Sequence, residues 1–225
     1  MIISTRLPAS LGACFAATLL TVIAACGNAG AGRGHEHHEG HVHTNKAADN
    51  VPASGEEQQA LVVLSDAPML DQTGAERRLK SDVIGSRIVV VDFIFTSCET
   101  ICPVTTALLA DAKSKLADVP PETLSFISMS VDSRVDTPER LATFAASRGA
   151  DWTFLTGEKP VMDEALTWLN AYATNPENHA AMILIGDAST GKFARVYGMP
   201  DPVFVERRVR ELVAARSLDT SQHTH

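Results

Sequence analysis

Ile88-Val89-Val90-Val91-Asp92-Phe93-Ile94-Phe95, followed after Thr96 and Ser97 by Cys98-Glu99-Thr100-Ile101-Cys102-Pro103, is the stretch that decides the fold. Its first part is a run of β-branched and aromatic residues, the composition of a central strand buried on both faces. Past the second cysteine, Pro103 to Asp118 carries apolar residues at 104, 108, 109, 112 and 116. That is a helical period, with proline in the first turn, where its missing N–H costs nothing. A buried strand therefore feeds a helix through a loop that holds two cysteines.

Outward from this unit the alternation repeats. Leu124 to Val131 reads as a strand, and Pro138 to Arg148 as a helix with Asp136 and Thr137 as candidate caps; Asp132 and Asp136 are also candidates for supporting groups near the cysteine loop, although capping and loop hydrogen bonding explain them more cheaply. Trp152 to Leu155 reads as a short strand and Pro160 to about Ala173 as a helix. Ala181 to Ile185 and Phe193 to Tyr197 flank the turn Asp187-Ala188-Ser189-Thr190-Gly191, a hairpin signal, and Pro202 to Ala214 closes as an amphipathic helix. Upstream, Leu61-Val62-Val63-Leu64 and Leu70 to Leu79 read as short strands around a Gly-containing turn. The expected fold is α/β, a thioredoxin-like sandwich with an N-terminal hairpin and a C-terminal hairpin plus helix.

The loop at the carboxyl end of a central strand is the usual site position in open α/β sheets. The unpaired amides of the following helix favour negative charge, so Cys102 is expected to ionise below the ordinary thiol value. Dithiols of thioredoxin type are separated by two residues, these by three. That gap puts the sulfurs about one helical turn apart, open to a disulfide and also to one metal ion between them. Two thiolates select Cu(I), with Zn(II) as competitor. A third ligand has to come from another loop on the same sheet edge, and the folded region contains one histidine, His179, just ahead of the strand Ala181–Ile185. In dithiol oxidoreductases of this fold a proline stands directly before that strand; here none does. Met129, Met182 and Met199 offer thioethers but read as core filler.

The 225 residues carry 45% apolar residues and a net charge of −8, which suits one compact domain with appendages. No basic field exists to hold a phosphate backbone, so nucleic acid is excluded as a partner. Leu7 to Ala25 is apolar, follows Arg6 and has the character of a signal peptide. Ile23-Ala24-Ala25-Cys26 fits the site at which bacterial lipoproteins are cleaved and acylated. The expected divisions are a signal peptide at 1–25, a disordered His-rich tether at 26–59, the folded domain at 60–216 and a flexible tail at 217–225. Cleavage and acylation would consume Cys14 and Cys26, leaving Cys98 and Cys102 as the thiols of an oxidising compartment. In the tether, His35, His37, His38, His41 and His43 form a candidate auxiliary metal site, with a solvated spacer as the plainer alternative. His223 and His225 end the chain and read as inert.

Taken together, these residues resemble the SCO/SenC family of copper chaperones over about Ala60 to Ala214. The matching pieces are Phe95-Thr96-Ser97-Cys98 with Cys102-Pro103, Ser130-Val131-Asp132 followed by Asp136-Thr137-Pro138-Glu139-Arg140-Leu141, His179 before a strand, and Tyr197-Gly198 before the last helix. The resemblance implies a membrane-tethered domain that binds copper, as Cu(I) or Cu(II), through Cys98, Cys102 and His179. It also implies delivery to the binuclear copper centre of cytochrome c oxidase, with thiol–disulfide exchange on that copper-bearing subunit and a thiol or copper donor as further partner. Localisation follows as the bacterial cell envelope, through a lipid anchor on the extracytoplasmic side. Asn178 departs from the pattern, since many members have Asp there, and the His-rich tether is outside it. Peroxiredoxins share the fold, but Phe95 and Glu99 leave neither cysteine in the peroxidatic pattern. The competing function classes are an extracytoplasmic thiol–disulfide oxidoreductase, using the redox-active pair Cys98 and Cys102, and a metal-scavenging lipoprotein in which the tether does the work.

Overall fold

The computed structural model describes residues 57–199 and 201–222. Cys14, Cys26, the histidines at 35–43 and the terminal pair His223 and His225 lie outside the described residues. Among the described residues eight strands form one sheet: β1 (Glu57–Ala60), β2 (Pro68–Asp71), β3 (Glu76–Arg78), β4 (Ile88–Ile94), β5 (Leu124–Ser130), β6 (Thr153–Thr156), β7 (Met182–Asp187) and β8 (Lys192–Tyr197). Their spatial order is β1-β8-β7-β4-β5-β6-β2-β3. The helices are α1 (Ile101–Lys115), α2 (Pro138–Ala146), α3 (Lys159–Trp168) and α4 (Pro202–Gln222).

The centre of the sheet is β4, buried at every position as its composition requires. It runs parallel to β5, with Val91 opposite Ile127, and antiparallel to β7, with Val91 opposite Leu184. The face carrying Phe126 and Phe154 is covered by α1 and α2: Phe144 of α2 meets Phe154 at 6.2 Å between ring centres, and α1 closes a cavity over Phe126. Along α1 packs α4, which also contacts β4 and β7. The β7–β8 hairpin turns as expected at Asp187, whose carboxylate accepts the Ser189 amide at 2.8 Å, with Gly191 in the left-handed region at φ 68°. Thr137 caps α2 by accepting the Arg140 amide at 3.3 Å, whereas Asp136, the other expected cap, turns its carboxylate elsewhere.

Several expectations are corrected. The N-terminal hairpin is β2 with β3, turning at Gly74 (φ 82°), and residues 61–64 are not a strand. The first strand instead begins at Glu57, inside the stretch read as tether. Its residues are polar and carry no strand signal, and its order comes from pairing with β8, Glu57 opposite Val196, and from an Arg208–Glu57 ion pair at 3.0 Å. At the other end, α4 runs on to Gln222, past both Ala214 and the expected tail boundary at 216. In the added turns Arg216 pairs with Asp187 at 2.6 Å, which ties the extension to the β7–β8 hairpin. Finally, α1 starts at Ile101 rather than Pro103, which puts Cys102 inside the helix.

Candidate metal centre

From the end of β4 the chain turns through Phe95-Thr96-Ser97-Cys98, closed by the Cys98 amide donating to the Phe95 carbonyl at 3.1 Å. Cys98 and Cys102 are free thiols, 7% and 2% exposed. The Cys98 Sγ accepts the Cys102 amide at 3.3 Å, one of the first-turn N–H groups of α1 that have no carbonyl partner within the helix. Thr100 Oγ1 lies 4.0 Å from the same sulfur. Burial alone would raise the Cys98 pKa, but hydrogen bonds from the Cys102 thiol, the Cys102 amide and Thr100 outweigh it and hold the thiol below its usual value. Burial pushes Cys102 the other way, to about 12, reinforced by its hydrogen bond to Cys98.

This reverses the expectation for Cys102. The helix-terminal amide does favour a thiolate, but it points at the sulfur of Cys98, three residues ahead of the helix, while the Cys102 side chain is buried. Iodoacetamide at neutral pH is therefore expected to alkylate Cys98 first. The more acidic thiol carries the larger thiolate fraction at neutral pH, and its lower intrinsic nucleophilicity offsets only about half of that advantage. Peptide mapping after partial labelling checks this; equal labelling would refute the asymmetry.

His179 follows the short turn Pro176–Asn178, which Asn175 caps by accepting the Glu177 amide at 3.1 Å. The His179 Nδ1–H donates to the Pro176 carbonyl at 2.7 Å, so the lone pair stays on Nε2. The ring meets Phe95 edge to face at 5.6 Å and 86°. Cys98, Glu99, Ile101, Glu177 and His179 line one cleft with Phe95, of about 430 Å³. The two carboxylates bias its field toward cations.

The structure thus brings Cys98 and Cys102 together and sets His179 on the same cleft as Cys98. Among the described residues no three His, Cys, Asp or Glu side chains are grouped so as to hold a metal ion as they stand. A shell that includes both thiols and the imidazole requires His179 and the sulfurs to draw in across the cleft. Met129 and Met182 are core residues as read, at 0% and 4% exposure, whereas Met199 is 53% exposed. Two residues of consequence carried little sequence signal as site residues, Pro176, whose carbonyl sets the imidazole tautomer, and Phe95, which walls it; a third, Asp136, read from the sequence as a cap or a group near the cysteine loop, reaches Thr96 from just ahead of α2. A fourth, Asp92, did leave a trace, a lone charge in an otherwise apolar strand.

The SCO1/SenC family model matches residues 57–203. The SCO1 protein homolog of Bacillus subtilis (strain 168) is 33% identical over 121 residues, which span 52% of this chain and 62% of that relative. The solved structure of BsSco, a member of the Sco family of cytochrome c oxidase assembly proteins in which a disulfide switch has been identified, superposes with a TM-score of 0.58 at 29% identity, over 72% of this chain and 97% of that one. ScoI of Bradyrhizobium japonicum with copper bound gives a TM-score of 0.55 at 18% identity, over 71% of this chain and 99% of that one, a likeness of fold alone. With well over half of its length matched by the family model, this chain belongs to the SCO1/SenC family.

Proposed function

We propose that this protein is a copper metallochaperone of the bacterial cell envelope. It takes copper as cargo on the sulfurs of Cys98 and Cys102 and the Nε2 of His179, and passes it to the copper-bearing subunit of cytochrome c oxidase. The observation that carries this reading is the placement of three donors: Cys98, favoured as thiolate, lines one cleft with His179, whose free nitrogen is fixed by the Pro176 carbonyl, and the buried Cys102 stands beside Cys98 as the second residue of α1. Two thiolates and one imidazole are soft to borderline donors, suited to Cu(I) and competitive for Cu(II). The family membership supports the reading, as do the copper bound to ScoI and the oxidase-assembly role of BsSco. The lipid on Cys26 would hold the domain at the extracytoplasmic face of the membrane, with residues 26–56 as tether and its histidines as an auxiliary copper store. Among the described residues no helix is long and apolar enough to cross a membrane.

Metal ligation requires both sulfurs deprotonated, so a Cys98–Cys102 disulfide excludes copper. With His35, His37, His38, His41 and His43 changed to Ala, the reduced protein is expected to bind about one Cu(I) ion and the oxidised protein none. His179→Ala should weaken binding by at least the roughly 10–100-fold typical of lost outer-shell support. Equal Cu(I) affinity in the two redox states would overturn the site.

A second reading, a thiol–disulfide oxidoreductase that keeps the oxidase subunit's cysteines reduced, is favoured by the split between the two thiols. The Cys98 thiolate attacks a client disulfide and one client sulfur leaves as thiolate. Cys102 then gives up its proton to that thiolate and closes on Cys98, releasing the second client sulfur; the client gains two electrons and the pair loses two. Oxidase maturation in cells separates the readings. Failure of both His179→Ala and Cys98→Ser supports the chaperone. Normal maturation with His179→Ala and failure with Cys98→Ser supports the reductase.

A further inference from the structure

We propose that Asp136 is a positioning residue for Cys98: through Thr96, its buried carboxylate fixes the turn that presents Cys98 to Cys102. This deepens the reading above, since it concerns the same pair of thiols, but it is measurable without copper.

Asp136 is 1% exposed and sits between β5 and α2. Its Oδ1 accepts both the Thr96 amide, at 3.0 Å, and the Thr96 hydroxyl, at 2.5 Å. Its Oδ2 accepts the Ser130 hydroxyl at the end of β5, at 2.6 Å. The Asp136 carbonyl accepts the Thr156 hydroxyl at the end of β6, at 2.7 Å. Having donated its proton inward, Thr96 Oγ1 accepts the Arg140 Nε–H from the outside at 3.1 Å. One residue thus ties the ends of two strands and the start of a helix, and its side chain alone grips Thr96, 40 positions away in sequence and two before Cys98.

Among the described residues no cation touches this carboxylate directly; Arg140 reaches it through Thr96. A buried carboxylate without a paired charge is expensive, and a neutral peg would join the same strands at lower cost. What the carboxylate adds is the capacity to accept the amide and the hydroxyl of one residue at a single oxygen, which clamps the turn at its second position. That turn is the segment closed by the Cys98 amide on the Phe95 carbonyl, and it leaves the Cys98 Sγ at 3.3 Å from the Cys102 amide. Held there, the two sulfurs have a high effective concentration for closing on each other or on one ion. Loss of the clamp frees the Thr96 amide and hydroxyl for water, and the turn with them.

The test equilibrates the full-length, metal-free protein with glutathione buffers and measures the equilibrium constant for the Cys98–Cys102 disulfide. Asp136→Ala and Thr96→Val should lower it at least about tenfold, or about 30 mV for a two-electron couple. Asp136→Asn, which keeps an acceptor for the Thr96 amide and can donate to Ser130, should return it to within about threefold of the parent protein. Thr156→Val removes the bond to the Asp136 carbonyl but leaves the carboxylate intact, so it should lower Tm without moving the constant. If Asp136→Ala does not fold, Thr96→Val carries the comparison. An unchanged constant in Thr96→Val, or an equal change in Thr156→Val, overturns the proposal. Cu(I) competition on the same proteins keeps the readings apart: if the constant responds as expected while the parent protein binds no Cu(I), the copper reading fails and the positioning role stands.

Discussion

Replacing Asp92 with Asn should leave stability almost unchanged near pH 4 and raise it by about 4 kcal/mol at pH 8. Asp92 lies in the middle of β4 and is 1% exposed. The Ser128 hydroxyl donates to one of its oxygens and the other has no partner. Burial pushes its pKa up to about 7, from an ordinary value of 3.8. Between those two values the native carboxyl keeps a proton that the unfolded chain releases. The contribution to stability is therefore fully present below about pH 4, falls by about 1.36 kcal/mol per unit as pH rises, and is lost once pH passes about 7. Asparagine mimics the protonated form and cannot ionise, so it removes the slope. Urea unfolding of both proteins across this pH range is the measurement, and other titrating groups cancel in the difference. A difference that does not vary with pH would show that the carboxyl is not held protonated.

Phe154→Ala should cost about 4 kcal/mol, within the 3–5 kcal/mol typical of a fully buried aromatic. Phe154 is 0% exposed, stacks on Trp152 at 5.7 Å with the planes 17° apart, and meets Phe144 of α2 at 6.2 Å. The loss combines transfer of the ring, the cavity it leaves and the aromatic contacts themselves. The same stack screens Asp92, because the Trp152 indole N–H donates at 2.9 Å to the Ser128 hydroxyl that in turn donates to Asp92. Water admitted beside Trp152 would solvate that carboxyl, so the variant should also show a shallower loss of stability between pH 4 and 7. A loss below about 1 kcal/mol in urea unfolding would contradict the packing described.

Much of the fold was legible because its signals are local. The run at 88–95, the helical period after Pro103 and the turn residues at 187–191 each act over a few residues, and each formed the expected element to within a few positions. The strand at Glu57–Ala60 was not legible, since Glu-Gln-Gln-Ala becomes a strand only when the β8 backbone is there to pair with it. The hairpin strand was misplaced for the converse reason. Leu61 to Leu64 has the composition of a strand but no partner edge, and Leu61 is 95% exposed.

The candidate site divides in the same way. Residue type and spacing alone nominated Cys98, Cys102 and His179, because a dithiol at the end of a central strand and a single histidine on a facing loop are matters of composition and order. Tertiary structure alone decided which thiol ionises first: the free amide of the helix meets the Cys98 sulfur while burial holds Cys102 protonated, an inversion of the sequence expectation. It also decided that the Pro176 carbonyl leaves the His179 lone pair on Nε2, that Asp136 grips Thr96 across 40 residues, and that Asp92 sits where water cannot reach it. Ionisation, tautomer and loop position depend on which dipoles and how much water surround a group, and those surroundings are assembled from residues far apart in the chain.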